Sequence, residues 1–176
     1  MELITLKSPR EQDAMRRAGR VTAQARALAG SMVRPGVTTK EIDDAVRRFI
    51  RGKGGQPSFL GYGGFSGSAC ISVNEVVIHG IPSRGIVLKE GDIVSIDVGA
   101  IIDGFHGDCA ATYPCGAISD EAQRLIDVTR DSFWEGFRQA QVGHRVSDIS
   151  HAVQVHVEKH GYSVVRDFVG HGVGTK

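Results

Sequence analysis

The chain has 176 residues, 41% hydrophobic and 23% charged, with a net charge of +1, enough for one sizeable core and too apolar for a disordered chain. The balanced charge excludes a dedicated polyanion binder, so no DNA partner is expected, although Arg16, Arg17 and Arg20 with Arg47, Arg48 and Arg51 offer local basic faces. No apolar stretch approaches the roughly 18 residues of a membrane span, the start Met1-Glu2-Leu3-Ile4 has no signal-peptide character, and Cys70, Cys109 and Cys115 form no Cys-x-x-Cys motif. These features predict a cytoplasmic chain with free thiols and no membrane partner.

Ser8-Pro9-Arg10-Glu11 supplies a capping serine, a proline at the first helical position and a glutamate at the third, predicting a helix to about Leu28 with the stripe Met15, Ala18, Val21, Ala25 and Leu28. After Pro35-Gly36, Thr38 with Glu41 opens a second helix carrying Ile42, Ala45, Val46, Phe49 and Ile50, ended near Gly52. Seven glycines from Gly52 to Gly67 predict a loop or lid, and none of them forms the Gly-x-Gly-x-x-Gly helix opening of a phosphate cradle. Cys70 to Ile78 reads as a strand, followed by His79-Gly80-Ile81-Pro82.

Asp92 to Ala100 and Phe105 to Tyr113 read as two strands of a hairpin closed by the favoured two-residue turn Asp103-Gly104. That turn pairs residues whose numbers sum to 207, so Asp108 faces Gly99 and lies diagonally from Asp97 on the same surface. Diagonal neighbours stand about 7 to 8 Å apart, a reach over which two carboxylates can hold metal ions about 3.5 to 4 Å apart. A single aspartate in a strand is commonly a solvated edge residue. Two on one face repel unless a cation lies between them, and the neighbours Ile96, Val98 and Ala110 argue for partial burial.

Past Ser119 the plan repeats. A helix is predicted from about Asp120 to Gln139 on Ala122, Leu125, Ile126, Phe133 and Phe137, and another from Ser147 to about His160. Shifted back by 107 positions, Gly143, Ile149, Ala152, Val153 and Val157 fall on Gly36, Ile42, Ala45, Val46 and Ile50. A duplicated half would need strands after Val164 and further ligands, which predicts that the second half is incomplete at Lys176. His171, flanked by glycines in Gly170-His171-Gly172-Val173-Gly174, and His79, also before a glycine, are candidate ligands, though each alone reads more readily as a structural histidine. His106 shares the aspartates' face, while His144, His151, His156 and His160 are expected to face solvent.

Asn74-Glu75-Val76-Val77-Ile78-His79-Gly80-Ile81-Pro82, Asp92-Ile93-Val94-Ser95-Ile96-Asp97-Val98-Gly99, Gly107-Asp108 and Gly170-His171-Gly172-Val173-Gly174 resemble, in order and over nearly the whole chain, the motifs of type I methionine aminopeptidases of the short bacterial kind. The resemblance implies an α+β pita-bread fold: two pseudo-symmetric halves around a central antiparallel sheet covered by helices, here one catalytic domain over residues 1–176 lacking its C-terminal part. It implies two divalent metal ions (Co, Mn, Fe or Zn), with Asp97 chelating one, Asp108 bridging both and His171 holding the second. A hydroxide bridging those ions would attack the first peptide carbonyl, His79 would hydrogen-bond the substrate, and Tyr62, Phe65 and Cys70 would line the methionine pocket. The family's two downstream glutamates and further histidine have no counterpart in these residues, so three ligating side chains stand where five are usual and impaired turnover is expected. The implied partners are nascent polypeptide N-termini, with ribosome contact left open, and the intact protein is expected to be a monomer. Two other readings are a catalytically silent binding module of the same fold and a proline-specific peptidase.

Overall fold

The structure, a computed structural model, describes residues 5–176, so the expectation for Met1 to Ile4 lies outside the described residues. Helix α1 (Pro9–Ser31) and helix α2 (Thr39–Gly52) precede a short strand β1 (Gln56–Pro57) and a 3-10 turn at Tyr62–Gly64. Strands β2 (Ala69–Val73), β3 (Ile93–Ile102) and β4 (Phe105–Pro114) follow, then helices α3 (Asp120–Phe137) and α4 (Val146–Lys159). Met1–Ile118 with Gly172–Lys176 form one compact unit and Ser119–His171 a second.

In the first unit both predicted capping boxes close. The Ser8 N–H donates to Glu11 Oε2 at 2.7 Å and the Thr38 N–H to Glu41 Oε2 at 2.8 Å, which satisfies amides that the helices leave unpaired. β3 is the central strand, antiparallel to β1 and β2 on one side and to β4 on the other. One face of this sheet carries Val94, Ile96, Val98 and Ala100, all 0% exposed, into a core completed by Ile71 from β2, Ile42, Val46 and Ile50 from α2, and Ala25 and Ala29 from α1. On the outward edge of β4, Arg26 donates to the Ala110 carbonyl at 3.0 Å and the His106 N–H donates to the Gly174 carbonyl at 2.8 Å.

The structure changes the expected face of α1. The helix runs to Ser31, and its wholly buried line is Ala14, Ala18, Thr22, Ala25 and Ala29, with Met15, Val21 and Leu28 on the half-buried flanks. Small side chains let the helix backbone approach β4: a Cβ added at Gly107 would stand 2.6 Å from both the Ala18 carbonyl carbon and Thr22 Oγ1. The strand expected from Cys70 to Ile78 ends at Val73. Asn74 takes a left-handed φ of 53°, its side chain bonds Asp92 and the Ile93 N–H, and Val76, Val77 and Ile78 become an exposed loop. Gly80 then returns to β2, where the Ile71 N–H donates to its carbonyl at 2.9 Å and its own N–H donates to Ser72 Oγ at 3.0 Å.

In the second unit, shifting α2 by 107 residues gives the bounds of α4, and Gly36 and Gly143 before them share left-handed φ values of 88° and 91°. The repeat therefore extends from helix-face residues to helix length and entry turn. The α3 stripe is displaced from expectation: Val128, Ser132 and Gly136 are buried, while Leu125, Phe133 and Phe137 are exposed. Gly136 allows α4 close, because a Cβ there would lie 2.8 Å from Val153 Cγ2 and 3.3 Å from Ile149 Cγ2. Phe133, Trp134 and Phe137 cluster on the outer side, with ring centroids 5.0 to 6.3 Å apart. His156 and His160 are not solvated as expected but half-buried, their rings 4.5 Å apart, with His160 Nδ1 2.7 Å from the His156 carbonyl oxygen; His144 and His151 are exposed. Among the described residues no strand follows Val164, and no helix is long and apolar enough to cross a membrane.

Candidate metal centre

The Asp103-Gly104 turn forms as predicted, with positive φ at both residues (50° and 78°), and it fixes the register of β3 on β4. Asp97 pairs with Ala110 and Gly99 with Asp108, which puts the two carboxylates diagonally on the face of the sheet opposite the apolar core. Cys70 on β2 pairs with Asp97 from the other side, so one row across the sheet reads Cys70, Asp97, Ala110. Asp97 is half-buried and Asp108 is exposed, so the partial burial expected for both holds for Asp97 alone.

Burial pushes the Cys70 thiol up to about 12, and the charges of Asp97 and Asp108 push in the same direction, which places this thiol within the field of both carboxylates. The thiol therefore stays protonated in the folded chain where an unfolded chain would ionise it near 9. Its stabilising contribution is complete below pH 9 and is lost as the pH rises toward about 12, at about 1.4 kcal/mol per pH unit. Urea unfolding of the wild type and Cys70→Ala under reducing conditions checks this. The wild type's margin over the variant is expected to shrink steadily above pH 9, and a margin independent of pH would contradict it.

Three further residues share the carboxylate face in ways that sequence spacing did not signal. A Cβ at Gly99 would meet Phe59 Cε1 and Ser58 Cβ at 2.7 Å, so the Phe59 ring and Ser58 stand over the glycine opposite Asp108. Ser58 Oγ lies 3.0 Å from His106 Nδ1, which joins the loop after β1 to the histidine expected on this face. Ser72 is buried two residues beyond Cys70 and holds Gly80, the neighbour of His79.

His79 is exposed and has a left-handed φ of 57°, a conformation uncommon for residues other than glycine and concentrated at functional sites. Tyr62 is 82% exposed on the 3-10 turn, Phe65 is half-buried and Cys70 is buried. Phe65 approaches the His79 segment at Gly67, where an added Cβ would stand 3.0 Å from Phe65 Cε1 and 2.8 Å from Pro82 Cδ. His171 is exposed in the second unit, beyond α4.

Two carboxylates on one face suit a hard divalent cation in donor chemistry. Among the described residues no group of three or more His, Cys, Asp or Glu side chains converges as a metal cage.

Residues 13–176 match the model of metallopeptidase family M24. The chain is 51% identical over 172 residues to methionine aminopeptidase 1 of Bacillus subtilis, covering 98% of this chain and 69% of that protein. The crystal structure of methionine aminopeptidase from Rickettsia prowazekii superposes with a TM-score of 0.96 at 40% identity, covering 99% of this chain and 70% of that one. Prolidase from Pyrococcus furiosus, at a TM-score of 0.84 and 20% identity over 97% of this chain and 49% of its own, shares the fold alone. These likenesses agree with the α+β pita-bread architecture and do not favour the proline-specific reading. The chain belongs to metallopeptidase family M24 and, within it, to the methionine aminopeptidases.

Proposed function

We propose that this chain is a metal-dependent hydrolase that removes the N-terminal methionine from nascent polypeptides, with residues 1–176 as one catalytic domain. The observation that carries the reading is the diagonal placement of Asp97 and Asp108 on one sheet face beside Cys70. Asp97 and Asp108, with His171, would hold two divalent ions, and their oxygen and imidazole donors would accept Mn, Fe, Co or Zn. Bound divalent ions supply Lewis-acid polarisation and water of lowered pKa. The side chains divide the remaining work. His79, exposed on its left-handed backbone, donates a hydrogen bond to the substrate as charge develops on the carbonyl oxygen. Tyr62, Phe65 and Cys70 enclose the methionine side chain, and the protonated Cys70 thiol presents a neutral wall to its thioether. The three free cysteines fit a reducing cytoplasm, where nascent N-termini emerge from the ribosome. The protein acts as a monomer.

Manganese titration against Met-Ala-Ser and Gly-Pro peptides tests the reading. Metal-dependent release of methionine with no cleavage of Gly-Pro is expected. Cleavage confined to Gly-Pro would overturn the function.

A further inference from the structure

Asp43 on α2 is 0% exposed, and an ionised carboxylate at such a position is costly unless every lone pair is used. Its Oδ1 accepts from the N–H groups of Ser68 and, at 3.1 Å, of Ala69. Its Oδ2 accepts from Lys40 Nζ at 2.8 Å and Arg47 Nη2 at 3.4 Å. Arg47 continues the network, donating from Nε to Ser68 Oγ at 2.8 Å and from Nη2 to the Ser66 carbonyl at 3.5 Å. Hydrogen bonds to Asp43 and Asp44 hold the Lys40 ammonium above its usual range.

This network grips backbone at one place, the junction from Ser66 to Ala69. Before it lies the loop with Tyr62 and Phe65, whose glycines Gly61, Gly63 and Gly64 all have positive φ (87°, 55° and 84°) and whose shape its own side chains therefore determine weakly. After it comes Cys70. A well-packed apolar group can fill such a space at equal or better stability. What a buried charge adds is directional bonding to two consecutive amides, which fixes where the loop ends and β2 begins.

We propose that Asp43 and Arg47 are positioning residues for substrate selection, locking the Ser66–Ala69 junction so that Tyr62, Phe65 and Cys70 form a pocket shaped for an unbranched methionine side chain. The proposal rests on the reading that these three residues line that pocket. Neither Asp43 nor Arg47 touches the substrate, so their loss acts on discrimination between side chains and leaves divalent-ion binding by the hairpin carboxylates intact.

The test is a 1H–15N NMR titration of the 176-residue chain with methionine amide and with leucine amide, for the wild type, Asp43→Asn, Arg47→Ala and Arg47→Lys, alongside a manganese titration of each. In the wild type, methionine amide is expected to shift the amides of the Gly61–Cys70 segment and to bind more tightly than leucine amide. Asp43→Asn and Arg47→Ala are expected to lower that preference by about tenfold, the scale on which hydrophobic pockets separate side chains of similar size. Manganese affinity should be unchanged, and Arg47→Lys should recover part of the preference. If Asp43→Asn does not fold, Arg47→Ala decides, since its side chain is 27% exposed. Undiminished preference in folded Arg47→Ala would overturn the positioning role while leaving the pocket standing. No methionine-dependent shift between Gly61 and Cys70 in the wild type would overturn the pocket reading, and the proposal with it.

Discussion

Asp108→Asn is expected to weaken divalent-cation binding by at least about a hundredfold, more than the 10- to 100-fold that loss of an outer-shell partner costs a metal site. Asparagine keeps the size and hydrogen-bonding capacity of the side chain and removes its charge, so β4 should fold and only the cation's counter-charge is lost. Asp97→Asn should behave the same way, because it occupies the diagonal position on the same face. Asp103→Asn is the matched control. That residue sits at the turn with a φ of 50°, which asparagine tolerates, and its carboxylate pairs with Arg17 at 2.7 Å on the exposed surface. Isothermal titration of manganese into the three variants and the wild type checks the set. Wild-type affinity in both Asp97→Asn and Asp108→Asn, or an equal loss in Asp103→Asn, would remove the carboxylate pair from the metal site.

A large effect on stability is expected at Gly107. Its missing Cβ is what lets α1 lie against β4, and an added one would reach the backbone carbonyl carbon of Ala18, which cannot swing aside as a flexible side chain can. Gly107→Val is therefore expected to cost about 3 kcal/mol or more, the upper range for overpacking a close-packed interior. Gly19, on the exposed side of the same helix with nothing within 4 Å of its virtual Cβ, predicts the opposite sign. Gly19→Ala should stabilise by about 0.5 to 1 kcal/mol through helix propensity alone. Urea midpoints of the two variants measure both effects. Equal shifts in one direction would mean that α1 does not rest on β4 as described.

The parts of this fold that could be read from the chain are those that local chemistry determines. Asp103-Gly104 accepts a turn that few other dipeptides do, and once it forms, the pairing of every residue from Ile93 to Pro114 follows. For the same reason the shared face of Asp97 and Asp108 was legible without tertiary information. Ser8 with Glu11 and Thr38 with Glu41 marked two helix starts through bonds that span three residues.

Where neighbours distant in sequence decide, the reading failed. Alanine and threonine carry little apolar signal, so the face of α1 that meets the sheet was placed on its larger flanking residues. Val76, Val77 and Ile78 have strand-like composition, yet the side-chain bonds of Asn74 to Asp92 and Ile93 end the strand before them. Asp43 looks like an ordinary charge on a helix surface until the Ser66–Ala69 junction folds over it, and Phe59 gives no sign that its ring stands over Gly99. The roles suggested for His79, Tyr62, Phe65, Cys70 and His171 came from motif likeness, since no periodicity singles them out.

The flank of β4 has a consequence for how molecules of this protein behave in concentrated solution. A β-strand at the border of a sheet is a template onto which another chain can add, and repeated addition builds fibres. Here the Ala110 carbonyl accepts from the guanidinium of Arg26, and the His106 amide donates to Gly174 of the same chain. A strand adding at these positions would first have to break a charge-assisted bond and displace the host's own Gly174 carbonyl, so both contacts oppose addition along that border.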